Sequence, residues 1–138
     1  MGAPVVMALL ETGFDVMAIA RQQSAATFPA GVTVKKVDTT SVDALTEVLK
    51  GQDAIVSTVG TAAARSQTTI IDAAIAAHVK RFIPSEFGYN TREARGTKVG
   101  SLLSAKIETV DYLIELSQKH DWFTWTGLST GTLFDWVS

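Results

Sequence analysis

Short apolar runs alternate along the chain with segments of helical spacing. Residues 3–12 are apolar and are followed by Gly13, a good helix stop. Pro4 lacks an amide proton and fits only a first turn, so the chain opens at the very start of a helix. Residues 14–20 predict a buried strand ending at Arg21, and residues 22–31 a loop. Residues 32–37 predict a second strand, ending at Asp38. Thr40 or Ser41 can cap a helix over residues 42–50, which Gly51 closes. Residues 53–59 read as a third strand before Gly60. Residues 66–78 read as a helix with Ile70, Ile71, Ala74 and Ile75 facing inward. Residues 80–87 form a fourth strand whose ladder Pro84 should terminate. Residues 88–100 are polar and loop-like, residues 102–120 are the longest helix, and residues 123–130 are a fifth strand.

Strands alternating with helices predict an α/β fold: a parallel sheet with helices on both faces. The linkers are short and the chain has 138 residues, so one domain is expected. With 46% apolar and 19% charged residues it can bury a core, which excludes disorder. A net charge of -2 gives no positive field to recruit nucleic acid. The absence of Cys excludes disulfides, thiolate zinc sites and cysteine nucleophiles. His78 and His120 are too few for a His-rich metal cage. No apolar stretch approaches the roughly 20 residues of a membrane span, and no leader is visible. A soluble, cytoplasmic protein is the expectation.

In an open parallel sheet, ligands sit outside the carboxyl ends of the strands. The residues there are Arg21, Asp38, Ser57-Thr58-Val59-Gly60, Ser85-Glu86-Phe87-Gly88 and Ser129-Thr130-Gly131. Small, polar and glycine residues in such turns let backbone amides approach a phosphate or ribose. Arg21 lies 19 positions after Gly2, which opens the first helix. Dinucleotide folds place a ribose-binding acid, or an Arg for a 2′-phosphate, about 20 residues after their glycine turn. An Arg there suits NADP better than NAD; the other reading is a surface Arg at a strand end.

Leu103, Ile107, Val110 and Ile114 form an apolar stripe on the long helix, with Lys106 beside it. Such a lysine either snorkels to water or, desolvated, becomes a proton donor. The YxxxK spacing of many reductases is absent: Glu93 follows Tyr89 by four residues, and Leu116 follows Tyr112. His78 and His120 read as favourable charges at helix C-termini or surface residues. Trp122, Trp125 and Trp136 read as core or interface. Arg92, Arg95 and Lys98 belong to a solvated loop or to a loop over a ligand.

These stretches resemble the NmrA-like and isoflavone-reductase-like group of atypical short-chain dehydrogenases. The matching segments are Gly2-Ala3-Pro4-Val5-Val6, Val56 to Gly60, Arg81 to Gly88, Lys106 within Ala105-Lys106-Ile107-Glu108, Thr124 to Gly127, and Phe134-Asp135-Trp136. The resemblance implies a Rossmann-like fold, NADPH, and reductase chemistry on a small, possibly aromatic, metabolite. It implies that Lys106 is a proton relay, that Arg21, Thr58, Val59 and Gly60 line the cofactor, and that Phe87 lies near it. Gly2 matches the last glycine of a Gly-x-x-Gly-x-x-Gly turn.

By that likeness the chain lacks the first strand, most of the pyrophosphate cradle and the C-terminal substrate lobe, so cofactor binding is expected to be weak or lost. The strands at residues 14–20 and 53–59 would then flank an absent central strand. They are expected either to pair directly with each other or to pair with another chain, as in a homo-oligomer, because buried unpaired backbone costs about 1–3 kcal/mol per group. The leading expectation is an NADPH-dependent oxidoreductase-type domain, incomplete and inactive or active. The alternatives are a non-catalytic interaction module and a cofactor-independent isomerase on the same fold.

Overall fold

A computed structural model describes residues 2–131 of the chain. The Phe134-Asp135-Trp136 segment lies outside the described residues. Helix α1 (Gly2–Glu11) carries Pro4 in its first turn. Its end is a Schellman cap: Phe14 N donates to Leu9 O, Gly13 N donates to Leu10 O, and Gly13 has φ +87°. That cap corrects the expected start of the first strand. Phe14 spends its amide on the helix and is 63% exposed, so β1 runs only over Met17–Arg21.

Strand β2 (Thr33–Val37) pairs in parallel with β1 over its whole length. Helix α2 (Val42–Leu49) is capped by Ser41, whose hydroxyl accepts from Ala44 N. Thr40 instead donates its hydroxyl to Asp38. Strand β3 (Ala54–Val56) is followed by a 3-10 turn (Thr61–Ser66) and helix α3 (Gln67–Ala76). Helix α3 also ends in a Schellman cap, with His78 in the left-handed region at φ 57°. Its ring lies 4.6 Å from that of Trp122, so His78 is an exposed cap residue resting beside an aromatic.

Strand β4 is Arg81–Ile83. It stops one residue before Pro84, which has no N–H to give a ladder. The segment expected to be loop through residue 100 already turns helical at α4 (Lys98–Leu102), capped by the Thr97 hydroxyl. Gly100 allows this turn: a Cβ there would lie 2.0 Å from Ala94 O. The long helix α5 (Ser104–Lys119) begins after a break at Leu103. Its buried face is Thr109, Val110, Leu113 and Leu116 rather than the expected stripe of 103, 107, 110 and 114. Strand β5 (Thr124–Trp125) is short because its partner β4 is already ending.

The strands form two parallel sheets, β1-β2 and β3-β4-β5. The expected direct pairing of the strand after α1 with the strand at residues 54–56 is not made. One core spans both sheets instead. Val37, Leu45, Leu49, Ile71, Phe82, Leu113 and Phe123 are buried together, and Ile19 of β1 and Ile55 of β3 pack against them. Side-chain packing on α2, α3 and α5 therefore joins the sheets where no ladder does. The free edge of β3 is not deeply buried: Ala54 is exposed, and Ile55 and Val56 are half-buried. None of its three residues is fully buried, so the penalty for fully buried orphans does not apply in full.

Candidate functional site

The carboxyl ends of β3 and β4 and the first turn of α5 converge on one short peptide, Ser85-Glu86-Phe87. The Ser85 amide donates to Gln67 Oε1 at 2.8 Å, and the Ser85 hydroxyl donates to the Val59 carbonyl at 2.7 Å. The Lys106 ammonium donates to the Glu86 carbonyl at 2.8 Å. The Glu86 carboxylate accepts from the Thr91 hydroxyl at 2.8 Å. Phe87 follows with φ 24°, a region that non-glycine residues seldom enter. Five segments thus meet at two residues, Ser85 and Glu86: the β3 end, α3, β4, the 88–97 loop and α5.

Glu86 is 4% exposed. Burial raises its carboxyl above the ordinary carboxylate range; the Thr91 hydrogen bond and the charges of Lys106 and Arg92 pull the other way. Gln67 and Ser57 are also buried, at 1% and 4% exposure. Gln67 Nε2 and Ser57 Oγ have no partner among the described residues. Arg92 lies over the Trp125 ring at 5.5 Å, a cation–π contact that ties the polar loop to β5.

Gly2 meets the same end of the sheet from α1. A Cβ on it would lie 3.1 Å from Thr58 Oγ1, so the helix start and the β3 turn are in close approach. Arg21, at the end of β1, is exposed and forms no ion pair among the described residues. Asp38, at the end of β2, is held below its ordinary value by two hydrogen bonds from Thr40.

Of the sequence-predicted site residues, Val59 joins Lys106 through the Ser85-Glu86 peptide, and Thr58 adjoins Gly2. Gly60 is exposed at the head of the 3-10 turn, and Phe87 is half-buried. No described contact links Arg21 to the others. Gln67 and Thr91 were not picked out by sequence reasoning; Glu86 was, but only within the strand-end run Ser85-Glu86-Phe87-Gly88 and with no role of its own. The one available signal was the spacing of Gln67, which falls on the same helical face as Ile71 and Ala74. An open hollow of about 370 Å³ lies at the α4–α5 junction among Gly96, Gly100, Ser104 and Ile107 and contains none of the expected cofactor residues.

Residues 1–137 match the family described as NAD(P)H-binding. Oxidoreductase aprR of Aspergillus flavus is 40% identical over 124 residues, covering 88% of this chain and 41% of that protein. Isoflavone reductase homolog IRL of Zea mays is 38% identical over 80 residues, covering 56% of this chain and 26% of that protein. The chain belongs to the NAD(P)H-binding family, in its NmrA-like, isoflavone-reductase-like group. The solved leucoanthocyanidin reductase–NADPH complex of Vitis vinifera matches with a TM-score of 0.73 at 27% identity, covering 91% of this chain and 42% of that one. The two parallel sheets and their helices are therefore those of a Rossmann-like NAD(P)H-binding domain. This NmrA-like chain spans less than half the length of these relatives. Among its described residues no helix is long and apolar enough to cross a membrane.

Proposed function

We propose that this NAD(P)H-binding domain takes NADPH and serves reduction of a small metabolite, aromatic or related, with Lys106 as its proton relay. The observation that carries the reading is the Lys106 ammonium fixed on the Glu86 carbonyl at the strand ends. An ammonium has three donors, and this bond uses one. The other two can serve a ligand or pass a proton from a fixed place, which a freely moving surface lysine does not offer.

The residues fit the cofactor at separate points. The start of α1 offers unpaired amides, and Gly2 has no side chain to obstruct a pyrophosphate. The exposed Arg21 fork suits a 2′-phosphate. Thr58, Val59, Gly60 and Phe87 would line the path between them and Lys106. When bound, NADPH supplies a hydride to a carbonyl or conjugated double bond. Similar proteins, an oxidoreductase of Aspergillus flavus and a leucoanthocyanidin reductase holding NADPH, support the same chemistry.

Calorimetric titration of the chain with NADPH and NADH tests this reading. NADPH should bind more tightly, and Arg21→Ala should erase most of the difference. Lys106→Met should keep cofactor affinity and abolish turnover of aromatic enones and carbonyls. Equal affinity for both cofactors in the unaltered chain would sink the assignment. The free edges of β1 and β3 favour a second reading, a non-catalytic module that associates through them. Sedimentation to a single monomeric species at high concentration would count against it.

A further inference from the structure

We propose that Gln67 is a positioning residue for Lys106, acting through the Ser85-Glu86 peptide. This inference rests on the reading of Lys106 as the proton relay. Beyond Ile83 the β4 ladder has ended, yet Ser85 is still buried, at 6% exposure. Its amide needs an acceptor that no strand supplies. Gln67 Oε1 is that acceptor, at 2.8 Å, reaching from the first residue of α3. The Ser85 hydroxyl adds a second anchor on the Val59 carbonyl, at 2.7 Å.

With Ser85 held on both sides, the next carbonyl has a fixed place, and that carbonyl is the one that takes the Lys106 ammonium. The following residue, Phe87, is held at φ 24°. A non-glycine residue stays in such a region only where its surroundings over-determine it. The Gln67 amide itself is kept at a disadvantage, because its Nε2 has no partner among the described residues and the residue is 1% exposed. An apolar side chain would avoid that orphan donor. A glutamine at this place is explained by the acceptor that Ser85 requires.

Lysine side-chain NMR on the intact chain, labelled with 15N-lysine and without cofactor, tests the proposal. The Lys106 ammonium cross-peak is assigned by its loss in Lys106→Met. Its hydrogen bond should slow proton exchange enough to make it visible. In Gln67→Met, which keeps the length and removes the acceptor, that cross-peak should be lost while the amide spectrum of the core stays. A folded Gln67→Met with an unchanged Lys106 cross-peak overturns the proposal. Should Gln67→Met fail to fold, Gln67→Asn decides. Its acceptor falls one methylene short of the Ser85 amide, so loss of the Lys106 cross-peak supports the proposal while an unchanged one overturns it. NADPH plays no part in this measurement. Failure of the unaltered chain to bind NADPH would therefore overturn the functional reading without touching this result.

Discussion

The part of the molecule formed by α1, β1 and β2 differs sharply from the part formed by β3–β5 with α2, α3 and α5. Helix α1 has no buried residue, and four of the five positions of β2 are exposed. In the second part Ile71, Ala73, Ala74, Val79, Phe82 and Leu113 are all completely buried. The contrast also separates the expected functions. Gly2 and Arg21, the candidates for the phosphates, lie on the thinly packed part. Lys106 and its hydrogen-bonded supports lie on the densely packed part. Precise placement of a proton donor needs a rigid setting, whereas a phosphate can be gripped by exposed amides and one flexible guanidinium.

The largest effect that sharpens this contrast is expected from Phe82→Ala in β4. Phe82 is fully buried at the centre of the shared core. Its truncation should destabilise by about 3–5 kcal/mol in urea unfolding, whereas Val34→Ala in β2, where Val34 is 40% exposed, should stay within about 0.5 kcal/mol. Comparable losses from both would break the distinction between the two parts.

A smaller loss is expected from Gly100→Ala. The added Cβ would meet a backbone carbonyl at 2.0 Å, so either α4 or the Ala94 turn must move. About 1–3 kcal/mol of lost stability is expected, as for other overpacked positions. The junction at Leu103 that leads into the Lys106 turn should also loosen, visible as faster amide exchange at the start of α5. Unchanged stability would show that the densely packed part yields there.

The smallest effect is confined to a pH window. Glu86 has a raised carboxyl pKa, caused first by burial. Its contribution to stability is therefore fully present below the unfolded value and is lost as pH rises through the raised folded value. Glu86→Gln keeps an acceptor for Thr91 and cannot ionise. Its stability should be flat with pH across that window, where the unaltered chain declines from about pH 4.5 upward. Parallel pH profiles for the two proteins would show that Glu86 is not desolvated as its burial indicates.

Much of the fold was legible because its signals are local. Gly13 and Gly51 stop their helices in the left-handed conformation at φ +87° and +79°. Ser41 caps α2, and Pro84 ends β4. Strand ends were less legible, because Phe14 looks like strand until the helix cap claims its amide. The turn at Gly100 was hidden too, since a glycine in a polar stretch does not reveal which carbonyl it must approach. In the site, Lys106 could be named from its place beside an apolar stripe, but its partner is a backbone carbonyl, which leaves no trace in residue types.

By itself the sequence determined the order of the five strands and of the helices α1, α2, α3 and α5, the parallel α/β class and the strand-end residues, because periodicity, caps and breakers act over a few positions. It also carried the family, through motifs spread in order along the chain. Only the tertiary structure decided that β1 and β3 stay unpaired across a shared core. It alone brought Gln67, Val59, Thr91 and Lys106 onto one peptide. Those contacts join residues distant in sequence, and their geometry follows from how the helices pack against the sheets rather than from any local preference.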